Sequence, residues 1–314
     1  MAWGMAMTRT TIVAATLLAL CAVASAGIAE SDVYESGDEW VYDMSMTMES
    51  MILTGTITYS SEGKGSASVA GYSYDIYEIE SDGLLTISGT LDGYTITGTA
   101  SMKGTESVDQ KSLYLIKDDA NLSMSITFIV YPFPATIHLW RHGVSTYSPP
   151  GGVGETPEDP EEGESWTKTY TVHSEIMDYR DGEITTESSS ISETRTYTYM
   201  GKQSVSVPAG TFECEVIQVD DGDSITTYWV TYNVGREVKS EYEAGFSQSG
   251  TALLKSYSYD PSPSGGISTT TALAISGVVI AVVVAVVVIL LLIKRKSRTQ
   301  EPPLGTDPPN PPAG

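Results

Sequence analysis

The chain has 314 residues, with 17 basic and 40 acidic side chains and a formal net charge of −23. That length allows one large domain or two small ones, and that charge repels nucleic acid and anionic headgroups, so no nucleic-acid partner is expected. Two cysteines and three histidines leave little material for thiol, triad or metal chemistry.

In chain order, the first feature is an export signal. Arg9 supplies a positive charge, Thr11 to Val23 is apolar, and Ala24-Ser25-Ala26 is the small-x-small pattern of a cleavage site. The apolar core is too short to span a bilayer, so residues 1–26 read as a cleaved signal peptide. Cys21 follows the bulky Leu20, which argues against a lipoprotein signal. Cys214 is then the one cysteine left after cleavage, so no disulfide forms within the chain.

Residues 27–146 form a first β-rich region. Thr, Ser, Tyr, Val and Ile alternate, and no helical period of convincing length appears. Asp-Gly pairs at 82–83, 92–93, 181–182 and 221–222 favour the positive φ of tight hairpin turns. They set short strands at Tyr72 to Glu80, Leu84 to Thr90 and Tyr94 to Ala100. Within this region Asn121-Leu122-Ser123 is a glycosylation sequon of undecided occupancy. His138 and His142 share one strand face, which could begin a metal site, but no third ligand is recognisable.

Residues 147–165 are rich in Pro, Gly and Glu without periodicity and read as an exposed linker. A second β-rich region follows at 166–259. Gly37-Asp38-Glu39-Trp40 corresponds to Gly163-Glu164-Ser165-Trp166, and Val69-Ala70-Gly71-Tyr72 to Pro208-Ala209-Gly210-Thr211, at offsets of 126 and 139. Tandem duplication and one continuous sheet both fit these matches. Asp220-Asp221-Gly222-Asp223 has the composition of a calcium loop but lacks its full ligand spacing and closing glutamate, and a hairpin turn explains it better.

Residues 260–271 form a Pro/Ser/Gly stalk. Ala272 to Ile293 is an unbroken apolar run with Ser276 as its one polar side chain. As a helix it rises about 33 Å, enough for a hydrocarbon core of about 30 Å. Lys294, Arg295 and Lys296 follow at once and mark that end as cytoplasmic. Residues 294–314 make a proline-rich tail. Between Gly27 and Thr271 there are 12 basic and 38 acidic residues, a net of −26 facing the outside.

The most distinctive local pattern is a hairpin. Val205 and Val207 lead into a turn set by Pro208 and Gly210, and Phe212, Cys214 and Val216 then share a face opposite Glu213 and Glu215. Cys214 reads as a small buried hydrophobe rather than a reactive thiol. Val207-Pro208-Ala209-Gly210-Thr211-Phe212, with Val234-Gly235-Arg236-Glu237-Val238-Lys239 downstream, resembles uncharacterised exported bacterial and archaeal proteins with a V-P-A-G-T-F hairpin. Gly37-x-x-Trp40-x-Tyr42 also fits the start of such domains. The chain departs from the pattern at Arg236-Glu237, where those proteins have Gly-Leu-Val. The resemblance implies a curled antiparallel sheet similar to LolA and LolB, half-barrels around an apolar cavity. It offers no catalytic residues to carry over.

The expected protein is therefore all-β, with one or two curled antiparallel sheets and a C-terminal transmembrane helix. It sits at the cell membrane as a single-pass protein with its N-terminal domain outside. Neither catalysis nor a cofactor is expected. Its role reads as surface interaction or structure with envelope proteins as partners, with binding of a lipid or other apolar ligand as the alternative.

Overall fold

The computed structural model describes residues 33–259, except 92, 131, 132, 155, 156, 158, 181, 182, 232, 246 and 247. The predicted signal peptide, stalk, transmembrane helix and tail lie outside the described residues. Among the described residues every regular element is a strand, and no helix is long and apolar enough to cross a membrane. The strands are β1 (Glu39–Met48), β2 (Met51–Val69), β3 (Tyr72–Leu91), β4 (Tyr94–Asp109), β5 (Leu115–Val130) and β6 (Phe133–Val153). They continue as β7 (Ser165–Arg180), β8 (Glu183–Val207), β9 (Gly210–Asp220), β10 (Ser224–Val230), β11 (Glu237–Ala244) and β12 (Gln248–Ser258).

Each strand pairs antiparallel with its neighbours in sequence, and β1 pairs with β12, so the sheet closes into a twelve-stranded up-and-down barrel. The expected all-β antiparallel class holds. The curled, open sheet does not: closure removes both edges, each a row of unpaired backbone groups in a half-barrel.

Side-chain alternation is continuous around the wall. Met44, Ala252, Ser240, Tyr228 and Ile217 stand opposite one another from β1 back to β9 and face inward. Asp43, Leu253, Lys239, Trp229 and Val216, one residue along, face outward. Around β1 to β5 the interior is aliphatic and sulfur-rich, with Met44, Met46, Leu53, Ile57, Leu85, Ile96, Met102, Met124 and Ile126 all buried. Each such side chain contributes about 1.5–3 kcal/mol by leaving water. β2 and β6 approach each other across the interior, so the barrel is packed through at that level.

Two sequence expectations change. Asp82-Gly83 is not a turn: it lies in the middle of the 20-residue β3, opposite Ile57 and Thr58 on β2. Gly83 faces inward, and a Cβ there would meet Ile57 Cγ1 at 2.8 Å. The glycine makes room for core packing. Asp221-Gly222 does separate β9 from β10, with Gly222 at φ +91°, and Gly93 at φ +83° stands in the β3–β4 turn. The Pro/Gly/Glu segment is not a linker throughout. β6 runs on to Val153, which still pairs with Thr169 across an irregularity after Ser148, and Tyr147 is fully buried. The first and second β-rich regions are parts of one wall.

That wall nonetheless carries a repeat. Gly37 donates its N–H to Ser61 O at 2.9 Å and Gly163 to Tyr199 O at 2.7 Å. Asp38 N–H and Glu164 N–H each reach back three residues, to Glu35 O and Glu161 O. The Asp38 and Glu164 carboxylates accept from Glu35 N–H and Glu161 N–H in turn. Trp40 then pairs with Tyr59, and Trp166 with Tyr197. The β1–β2 and β7–β8 hairpins thus begin alike, and the longer β7–β8 hairpin fits the change in offset.

Candidate functional site

Polar groups collect inside the barrel at the end where β1 begins and β12 ends. The β10–β11 connection turns inward there, and aromatic side chains pin its backbone. Trp40 Nε1–H donates to Val234 O at 2.6 Å, Tyr34 O–H to Gly235 O at 2.9 Å and Tyr42 O–H to Glu237 O at 2.8 Å. Gly235, at φ +74°, permits the turn, and a Cβ there would strike the Tyr259 ring.

The connection delivers Arg236, 2% exposed, into the interior. Its guanidinium lies 4.3 Å from the Tyr59 ring centroid and 5.7 Å from that of Trp40. Glu106 Oε2 is 3.7 Å from Nη1, and Glu237 Oε2 is 3.8 Å from Nε. These are charge contacts too long for hydrogen bonds. Burial lifts the Glu106 carboxyl to about 8 despite Arg236, and lifts Asp118, its neighbour across β4–β5, to about 7. Burial likewise raises Glu237. Arg236 is raised as well: burial opposes its charge, but Glu106 and Glu237 hold the proton on it. The cluster has the makeup of a structural charge box, with one cation and carboxyls that resist ionisation, all of them buried.

A second polar layer lines β6 to β8. Arg195 Nε donates to Glu193 Oε1 at 2.5 Å, and its guanidinium sits 5.5 Å from the Tyr170 centroid. Tyr170 and Tyr197 share a hydroxyl hydrogen bond at 2.8 Å, and Lys168 Nζ donates to Gly154 O at 2.6 Å. Burial lowers the Lys168 ammonium. Arg141 grips Asp178 bidentately at 2.6 and 2.7 Å. Each cation here has a committed partner, as a packed polar interior requires.

The residues singled out from sequence fall elsewhere. Val207 pairs with Gly210, so Pro208 and Ala209 make a two-residue turn between β8 and β9, with Thr211 and Phe212 opening β9. This hairpin does not line the interior. A register shift between Tyr199 and Lys202, with Gly201 at φ +84°, bends β8 so that its end leans over the outside of β10, β11 and β12. Ala209 N–H donates to Leu254 O at 3.1 Å, Phe212 meets Tyr257 edge-on at 6.1 Å, and Trp229 Nε1–H donates to Gln203 Oε1 at 3.2 Å. Phe212, Cys214 and Val216 do share a face, but it is the outer one. Cys214 is buried beneath the flap, and burial together with Glu213 and Glu215 pushes its thiol up to about 12.

His138 is exposed, whereas His142 Nε2 meets Asp119 Oδ1 at 2.9 Å and stacks on Trp140. Four residues of strand separate the two imidazoles by about 13 Å, beyond one metal ion. Among the described residues no group of three or more His, Cys, Asp or Glu is placed to hold a metal. Asp220 and Asp221 spend their carboxylates on Gly222, Asp223 and Ser224 of their own turn. Lys294, Arg295 and Lys296 lie outside the described residues. Asn121 is exposed on the outer wall, in a depression of about 230 Å³ across β2 to β5.

The buried Arg236-Glu237 pair is what sequence reading missed. Its one signal is the departure from Gly-Leu-Val at that position; nothing in its spacing ties it to Glu106.

No family model and no curated protein matches the chain. Among solved structures, one from Bacteroides fragilis, described as an exported protein with a YmcC-like fold, aligns with 76% of this chain and all of its own at 14% identity. The TM-score is 0.26, too low to carry fold or role from one protein to the other.

Proposed function

We propose that the chain is an exported, membrane-tethered surface protein whose barrel serves as a non-catalytic interaction or structural domain. The observation that carries this reading is the filled interior. Tyr42, Ile57, Ile96 and Ile126 have no exposed surface, and the polar end is taken up by Arg236 and its carboxyls. A barrel whose inside is occupied by its own side chains presents function on its outer wall. Beside these residues there is no accessible surface for an acyl chain, so the lipid-carrier role of LolA-like half-barrels is the weaker reading.

The topology rests on the sequence: the apolar segment before Ala24-Ser25-Ala26, the run from Ala272 to Ile293, and the Lys294-Arg295-Lys296 stop signal. The acidic outer surface fits an exposed, well-hydrated location. Protease treatment of intact cells, followed by detection of an epitope on the tail, tests it. The reading expects the barrel to be removed and a short C-terminal fragment to survive until the membrane is broken. A full-length chain untouched on intact cells would refute it.

A further inference from the structure

The outer depression is a place where the wall offers open polar groups without committing all of them to one another. Thr58 and Ser60 on β2, Glu80 and Asp82 on β3, Lys103 and Thr105 on β4, and Asp119 and Asn121 on β5 face it. We propose that it seats one neutral sugar ring.

The chemistry of the lining selects that class. The groups facing the depression are carboxylates, hydroxyls, an amide and an ammonium, so an apolar ligand would leave them desolvated. Lys103 Nζ lies 3.1 Å from Asp82 Oδ2, and Asp119 is engaged by His142 at 2.9 Å and Lys117 at 3.6 Å. The cationic groups are thereby neutralised, and the carboxylates repel an anion. Asp82 and Asp119 already face lysines, and among the described residues no group of three or more His, Cys, Asp or Glu is placed to hold a metal, which argues against a bound cation. Glu80, Thr58, Ser60, Thr105 and Asn121 remain as acceptors and donors for the hydroxyls of a polyol. The volume of about 230 Å³ equals that of roughly eight liquid waters. It is smaller than the cavities of about 300 Å³ and above that take drug-sized ligands, and it suits a single ring. His142, opposite Asn121 in register, stacks on Trp140 at 6.1 Å, so an aromatic surface stands at the β6 edge.

The ring has two available sources. Asn121 and Ser123 of the sequon are both exposed, with Leu122 buried between them. In the first, Asn121 Nδ2 bonds to the anomeric carbon of a diphosphate-activated glycosyl donor, loses one proton, and the diphosphate leaves. In the second, the ring belongs to a free or partner-borne saccharide. The first source rests on export as proposed above; the second does not, and the protease experiment judges export separately.

The test uses the full chain purified from its native membranes. Intact-mass and peptide analysis reads sugar on Asn121, and saturation-transfer NMR reads binding of millimolar methyl glycosides of glucose, mannose, galactose and N-acetylglucosamine. A sugar increment lost in Asn121→Gln, with contacts between its ring protons and Thr58 or Thr105, supports the attached source. A bare Asn121 with glycoside binding weakened about tenfold by Glu80→Ala supports the free source. Both substitutions are at exposed positions, and urea unfolding verifies that each variant is folded. A bare Asn121 with no saturation transfer overturns the proposal. So does an attached glycan that makes no contact with the depression.

Discussion

Replacing Glu106 by glutamine tests the electrostatics of the buried charge box. Glu106 is 3% exposed on the inner face of β4, and burial raises its carboxyl from 4.5 to about 8. In the unfolded chain the same group ionises near its ordinary value. Between roughly pH 4.5 and 8 the folded protein therefore holds a proton that the unfolded chain has released, so stability falls as pH rises. Each unit costs about 1.4 kcal/mol per group, which gives roughly 3–4 kcal/mol from Glu106 between pH 5 and pH 8. Asp118, raised to about 7, adds to the slope with the same sign below pH 7. Glu106→Gln keeps the shape and removes the titration. Its unfolding free energy, taken from urea titrations at half-unit steps, should fall less steeply with pH than that of the wild type. The variant should gain on the wild type by roughly 3 kcal/mol over that range. Parallel curves for the two proteins would show that Glu106 is ionised in the folded state, and the account of the box would fail.

Three further outcomes follow from the wall. Arg236→Met strands Glu237 in the interior without its cation and should cost about 3–5 kcal/mol in urea unfolding, partly recovered when Glu237→Leu is added. Cys214 should resist alkylation at pH 8 in the folded protein, and Phe212→Ala, which loosens the flap over it, should speed labelling at least several-fold at little cost in far-ultraviolet dichroism. Gly55→Ala places a Cβ 2.0 Å from Leu84 O, a backbone atom that cannot step aside, and should destabilise by about 3 kcal/mol or more, read from the thermal midpoint.

What the sequence disclosed was local. Alternating apolar and polar residues announced antiparallel strands, and the Pro208-Ala209 turn and the Asp221-Gly222 turn were legible because each needs a particular residue at a particular φ. Asp82-Gly83 misled for the same reason: a glycine also serves where a neighbour leaves no room for Cβ, and only the register opposite Ile57 distinguishes the two uses. Closure could not be read, because pairing Glu39 with Ser258 spans nearly the whole domain and leaves no periodic trace. The side on which Phe212 lies was equally hidden. Alternation tells which residues share a face; the bend at Gly201 decides what that face meets.

One barrel wall encloses two kinds of interior. Matching Gly–Trp entries begin β1 and β7, and Trp–Tyr pairs follow, yet β1 to β5 enclose mainly methionine and aliphatic side chains, with Glu106 and Asp118 at one end, while β6 to β8 also enclose Arg141, Glu193 and Arg195. Along β6 to β8 space is taken by Arg141 paired to Asp178 and by Arg195 paired to Glu193, and the inward β10–β11 connection brings Arg236 against Tyr59 of β2. Arg236 thus ties distant strands of the wall together: its backbone belongs to the β10–β11 connection, its ring contacts to β1 and β2, and Glu106 to β4. With that cation and those carboxyls committed inside, the features the wall turns outward are of another kind, the Asn121 depression across β2 to β5 and the Pro208 flap beside β12.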